Sequence, residues 1–284
     1  MPRARTGCGL GASAPPVPPE PPELIVRTRL SLTVALASAL VLSACSGGSD
    51  DAGSGGDADV LRVATEGTYA PFSFHDPDTD ELTGYDVEVA RAVGEELGME
   101  VEFSETTFDS IFAGLEADRY DVIANQVSIN PEREESYLFS TPYTVSTGVV
   151  ITRADDDSVT SLADVAGKTS AQSLTSSFYE TATAAGAQIE AVEGFTQAIT
   201  LLKQERVDVT INDSLAFLEY QATTGDEDVK IAAEIDEPSE QALVFRQDET
   251  DLQSRVDDAL ESLRADGTLA EISERYFGED VSGQ

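Results

Sequence analysis

Between residues 61 and 124, apolar runs of strand length alternate with segments of helical period, and this confines the chain to an α/β fold on a largely parallel sheet. Residues 61–64 read as a first strand, followed by a turn through Gly67 and Pro71. Residues 82–85 lead into Asp86, whose carboxylate is expected to serve the N-terminus of a helix carrying Val87, Val89, Ala90, Val93 and Leu97 and ending at Gly98. A strand at 101–103, a helix at 108–118 with Ile111, Phe112 and Leu115 inward, and a strand at 120–124 complete a β-α-β-α-β run. After a pause at 140–143, strands are predicted at 148–152, near 169–172 and at 207–211, with helices from 177, over 195–203 and over 214–221. A strand at 242–245 and two helices, 252–265 and 269–276, close the pattern. A second βαβ set placed inside the first predicts two α/β lobes with crossing connections.

The apolar strand end at 122–124 runs into Asn130-Pro131-Glu132, an N-cap with proline at the first helical position. Arg133 then falls in the first turn, where free N–H groups and a guanidinium fork together favour a carboxylate. Pairing of Arg133 with a neighbouring acid such as Glu134 or Glu135 is the alternative.

The chain has 284 residues, 40% of them hydrophobic, enough for two lobes with their own cores. The long apolar stretch at 30–42 is too short to span a membrane, follows Arg27 and Arg29, and ends in Leu42-Ser43-Ala44-Cys45. This reads as a signal peptide whose LSAC ending resembles a bacterial lipobox, with Cys45 as the lipidated first residue of the mature protein. Residues 1–44 are therefore expected to be an extension plus lipoprotein signal. The Pro-rich stretch 1–25 has no targeting logic, and translation is expected to start at Val26. Residues 45–59, rich in Gly, Ser and Asp, read as a flexible tether.

Cys8 and Cys45 leave no cysteine for a disulfide or a nucleophile, and His75, the single histidine, reads as a loop residue. Neither a metal nor a cofactor is implied. Seventeen basic residues stand against 54 acidic ones, a net charge of −37 that excludes nucleic acid as a direct partner. Self-repulsion on such a surface is relieved by salt, so stability is expected to rise with NaCl into the molar range.

The stretch GYDVEVARAVGEEL at 84–97 resembles the signature of the family 3 bacterial solute-binding proteins, the polar amino acid receptors of ABC importers. GTYAPFSF (67–74), FDSIFAGL (108–115), DVIANQVSINPERE (121–134), FSTPYT (139–144), LADVAGK (162–168) and DGTLAEISERYFG (266–278) extend the likeness over the mature domain. The resemblance implies a two-lobe periplasmic binding protein of type II. Lobe one would be 60–144 plus 242–284 and lobe two 149–237, with hinges near 143–148 and 238–243.

It further implies that Arg133 holds the ligand α-carboxylate and Asp213 the α-ammonium, with Ser128 nearby. Asp213 also reads as a helix N-cap. Ser176 and Ser177 match a lobe-two hydroxyl pair whose register is left open by Thr175, where the family commonly has glycine. Tyr69 and Phe108 match aromatic positions that sandwich the ligand, and Glu66 an acidic position facing its distal end. Asn125 and Gln126 replace the small hydroxyl residues of lysine, arginine and histidine receptors, and NQV with FSTPYTVS is most like the cystine branch.

The expected function is capture of a polar amino acid, cystine favoured, by lobe closure. The partners would be an ABC permease and its ATPase. The protein would be a lipid-anchored monomer on the outer face of the cytoplasmic membrane, periplasmic where an outer membrane exists. A cyclohexadienyl dehydratase-like enzyme, for which Glu66 would be the candidate acid, and a ligand sensor subunit are the alternatives on the same fold.

Overall fold

The computed structural model describes residues 59–283. The expectations for residues 1–44, for Cys45 and for most of the tether lie outside the described residues. The order of elements is β1 (Val60–Thr65), β2 (Thr68–Tyr69), β3 (Ser73–His75), β4 (Leu82–Thr83), α1 (Tyr85–Leu97), β5 (Glu100–Glu105), α2 (Phe108–Glu116), β6 (Val122–Ser128), α3 (Pro131–Glu134), β7 (Tyr137–Phe139) and β8 (Thr144–Arg153). A 3-10 turn at Leu162–Val165 precedes β9 (Thr169–Gln172), α4 (Ser177–Ala184), β10 (Gln188–Ala191), α5 (Phe195–Lys203), β11 (Val209–Asp213), α6 (Ser214–Thr224), β12 (Val229–Arg246), α7 (Thr250–Ala265) and α8 (Thr268–Phe277). Among the described residues no helix is long and apolar enough to cross a membrane.

One sheet runs in the order β10-β9-β11-β8-β12-β6-β1-β5, with β7 added beside β12. Its two ends are parallel, β5-β1-β6 on one side and β10-β9-β11 on the other, as βαβ crossovers require. The antiparallel pair β8 and β12 joins them. β12 is 18 residues long, pairing with β8 along its first part and with β6 and β7 along its last. The bridge between the halves is the ladder Thr144↔Gln241, Val145↔Glu240, Ser146↔Ser239 and Thr147↔Pro238.

Each half carries a buried core under its helices. Ile111 and Leu115 of α2 pack with Ala64, Ile123, Val127 and Val244, and Ala182 of α4 with Val150, Val165, Val209 and Ile211. On α1, Tyr85, Val89, Ala90 and Val93 recur at helical spacing and are fully or almost fully buried.

The start of α1 differs from expectation. Its N-cap is Gly84, at φ 126°, where an added Cβ would lie 2.3 Å from the Phe72 carbonyl oxygen, so only glycine fits. Asp86 lies inside the helix and does not cap it. Its carboxylate is completely buried and accepts hydrogen bonds from Gln126 Nε2 (2.6 Å) and the Tyr143 hydroxyl (2.9 Å). Burial pushes this carboxyl up to about 7, the two hydrogen bonds opposing the shift.

Candidate functional site

The carboxyl ends of the parallel strands in both halves converge on one cleft, the place where an open α/β sheet binds ligands. From the β5 side come Glu66 after β1, Phe108 after β5, and Asn125, Gln126 and Ser128 of β6. From the β10 side come Ser173 after β9, Gly194 and Phe195 after β10, and Asn212 of β11. With Tyr69, Arg133, Ser176, Ser177 and Phe178 they line a cavity of about 60 Å³.

Arg133 is 7% exposed and has no salt-bridge partner among the described residues, which removes the alternative of pairing with Glu134 or Glu135. Its guanidinium donates to the carbonyls of Ser128 (2.9 Å) and Thr175 (2.8 Å) and lies over the rings of Phe108 (5.9 Å) and Phe112 (5.4 Å). Burial lowers its pKa. A guanidinium has five N–H donors, so donors remain for a carboxylate entering the cavity.

The helix terminus contributes less than the sequence indicated. α3 is a four-residue turn, and the Arg133 amide is already taken by the Asn130 side chain (2.8 Å). The fork itself is held in place by two carbonyls and two rings.

The register of the serines is resolved by their bonds. Ser176 caps α4, its hydroxyl accepting from the Tyr179 amide (3.1 Å) and donating to the Ser173 carbonyl (2.9 Å). The Ser177 hydroxyl instead meets Ser128 Oγ across the cavity at 3.2 Å. The Tyr69 hydroxyl likewise crosses the cleft to Asn212 Oδ1 (2.7 Å).

Asp213 is 2% exposed and caps α6, accepting from the Leu215 amide (2.8 Å) and from the Ser146 hydroxyl. It stands one residue behind the wall, where Asn212 takes the lining position. Burial raises its pKa to about 6.

Glu66 is clamped by Asn125, whose Nδ2 donates to Glu66 Oε2 (2.8 Å) and whose Oδ1 accepts from the Glu66 amide (2.8 Å). Desolvation lifts Glu66 to about 7 against the opposing bond from Asn125. Gln126 holds a left-handed backbone, φ 48°, where the β12–β6 pairing shifts register. Such a conformation costs about 1–3 kcal/mol in a non-glycine residue and clusters at ligand sites.

All ten residues proposed from sequence are placed at or directly behind this cavity. Ser173, Asn212, Phe178, Phe195, Gly194 and the ring of Phe112 were missed. The aromatic Phe195 at a predicted helix start was the one local signal among them.

The fold and the cleft define a two-lobe, type II periplasmic binding protein. The described lining combines a buried guanidinium with spare donors, the half-buried acid Glu66 and aromatic walls, with the buried Asp213 directly behind. A family model, bacterial extracellular solute-binding proteins, family 3, matches residues 61–279, and the chain belongs to that family, the extracellular or periplasmic receptors of ABC importers. It is 48% identical over 256 residues to the L-cystine-binding protein TcyA of Bacillus subtilis (strain 168), covering 86% of this chain and 95% of that protein.

The L-cystine solute receptor of Neisseria gonorrhoeae, in its unliganded open conformation, shares 45% identity over 80% of this chain and 97% of its own, with a TM-score of 0.55. An ancestral arginine-binding protein bound to arginine shares 32% identity over 77% and 98%, with a TM-score of 0.72. Structural likeness thus inverts sequence likeness. In this chain Arg133, Ser128 and Tyr69 bond directly across the cleft. The relatives named are binding proteins, and this chain is a binding protein, not an enzyme.

Proposed function

We propose that this protein is a lipid-anchored receptor that captures L-cystine and delivers it to an ABC permease and its ATPase. The observation that carries the reading is Arg133, a buried cation with spare donors and no salt-bridge partner among the described residues, facing a cavity shared by both halves. A buried charge left without its counter-ion is costly, and a ligand carboxylate supplies one.

In this reading one amino acid end meets Arg133 through its carboxylate. Asp213 supplies the counter-charge for its ammonium: a carboxylate offers about four acceptor positions, and two are occupied here. Ser128 and Ser177 bond the head, and Tyr69 and Phe108 flank its chain. Glu66, held by Asn125, meets the second ammonium, with Gln126 at the floor. Lobe one (60–144 and 242–284) and lobe two (149–237) rotate about 143–148 and 238–243. Only a ligand that touches both favours the closed form. Cystine is preferred over other polar amino acids because it has two such ends, and the relatives named for L-cystine support it. A lipid on Cys45 would hold the receptor, a monomer, at the outer face of the membrane.

Thermal unfolding followed by circular dichroism, with L-cystine, D-cystine and the standard L-amino acids, tests this. A ligand at 100 times its Kd stabilises the folded state by about 2.7 kcal/mol, or roughly 5–10 °C for a domain of this size. A shift with L-cystine and none with D-cystine is expected. A shift with a different amino acid and none with cystine overturns the assignment.

A further inference from the structure

The cavity against Arg133 is too small for the whole of the proposed ligand. A water needs about 10–15 Å³ by this measure, so about 60 Å³ accommodates roughly the heavy atoms of one amino acid head. Immediately outside lies a groove of about 790 Å³, lined by Glu105, Thr107, Glu193 and Gln197 among others. Three residues, Glu66, Gly194 and Phe195, line both spaces and form the neck between them.

At that neck Gly194 faces Glu66. A Cβ built on Gly194 would lie 3.8 Å from Glu66 Oε1 and, among the described residues other than its chain neighbours, within 4 Å of no other heavy atom. Its backbone does not call for glycine, since φ −175° and ψ 177° are open to any residue. Helix capping does not call for it either. Gly194 is the N-cap of α5 without a side-chain bond, a position where Ser or Asp is at least as favourable. What glycine supplies is room.

We propose that Gly194 determines specificity by leaving open the neck through which a ligand longer than the Arg133 chamber passes into the outer groove. This rests on the reading that the chain captures an amino acid with two heads. One head seats on Arg133, the chain passes between Glu66 and Gly194, and the second ammonium emerges among Glu66, Glu193 and Glu105, the last also bonded to His75 (2.9 Å), where no lysine or arginine is among the described lining residues. The class of ligand is thus an amino acid whose side chain ends in a second ammonium-bearing head, such as a disulfide-linked pair. A side chain at residue 194 would close the neck and convert the receptor to one for single-headed amino acids.

Calorimetry on wild type, Gly194→Ala and Gly194→Leu, with L-cystine and the single-headed S-methyl-L-cysteine, tests the gate. The affinity ratio of L-cystine to S-methyl-L-cysteine should fall from glycine to alanine to leucine, by about 10- to 100-fold for leucine, the range for overfilling a packed passage. Melting temperatures of the three proteins check that each is folded. Wild-type cystine binding with an unchanged ratio in folded Gly194→Leu removes the gate and leaves cystine capture standing. Wild-type binding of S-methyl-L-cysteine without cystine removes the two-headed reading and the gate together, while amino acid capture stands.

Discussion

Replacing Arg133 with methionine should abolish ligand binding and leave the fold nearly as stable as before. Methionine keeps an unbranched apolar stem over Phe108 and Phe112 but removes the charge. Truncating one partner of a buried, hydrogen-bonded charge pair costs about 2–5 kcal/mol, which is roughly 30- to 5,000-fold in Kd. Without ligand the balance is different. The buried Ser128 carbonyl loses its donor, a penalty of about 1–3 kcal/mol, whereas Thr175 is exposed and its carbonyl can turn to water. Against this, a desolvated cation with no salt bridge among the described residues, favoured only at longer range by Glu180 and Glu132, is removed, a relief of similar size. The melting temperature should therefore move by no more than about 3 °C. Calorimetry with L-cystine and a circular dichroism melt on the same sample read both quantities. A Kd within threefold of wild type would refute the carboxylate role. A fall of about 10 °C or more would show that Arg133 holds the fold together and is not a vacant clamp.

Tyr69→Phe removes the hydroxyl that bonds Asn212 across the cleft and should weaken cystine binding by about 3- to 10-fold, measured by calorimetry; an unchanged Kd would show that this bond does not favour closure. Asp86, Asp213 and Glu66 are raised by burial to about 7, 6 and 7, so between about pH 4 and 7 the folded state binds more protons than the unfolded chain and stability falls as pH rises. Asp86→Asn should flatten that fall, its melting temperature gaining on wild type from pH 5 to pH 8, and parallel curves would refute it. Raising NaCl from 0.05 M to about 1 M, where the screening length is about 3 Å, should raise the melting temperature of a chain carrying a net −37; a flat or falling curve would place the acids in compensated networks.

Legibility in the sequence followed the range of the interaction concerned. The turn at Asn130-Pro131 was readable because a cap bonds to an amide three residues away. The start of α5 at Phe195 was readable from its apolar period. The first two-thirds of β12 was not, since residues 229–241 mix acids, Pro238 and small residues. They form a strand because β8 lies beside them. β10 was missed for the same reason, with one partner, β9, and a largely exposed surface. Asp86 looked like a cap because its partners, Gln126 and Tyr143, are 40 and 57 residues away in sequence. In the site, residue types and strand-end positions were legible. Which serine crosses the cavity, that Asn212 covers Asp213, and that Phe112 backs the guanidinium depend on two halves meeting in space.

The ladder from Thr144–Gln241 to Thr147–Pro238 makes the junction between the lobes part of the sheet itself. A junction made of paired strands can flex by changing twist while its backbone bonds stay formed. Amide hydrogens of residues 144–147 should then exchange slowly with deuterium even while the cleft samples its open form, and fast exchange in this protein should appear at the cleft rim and not at the pivot.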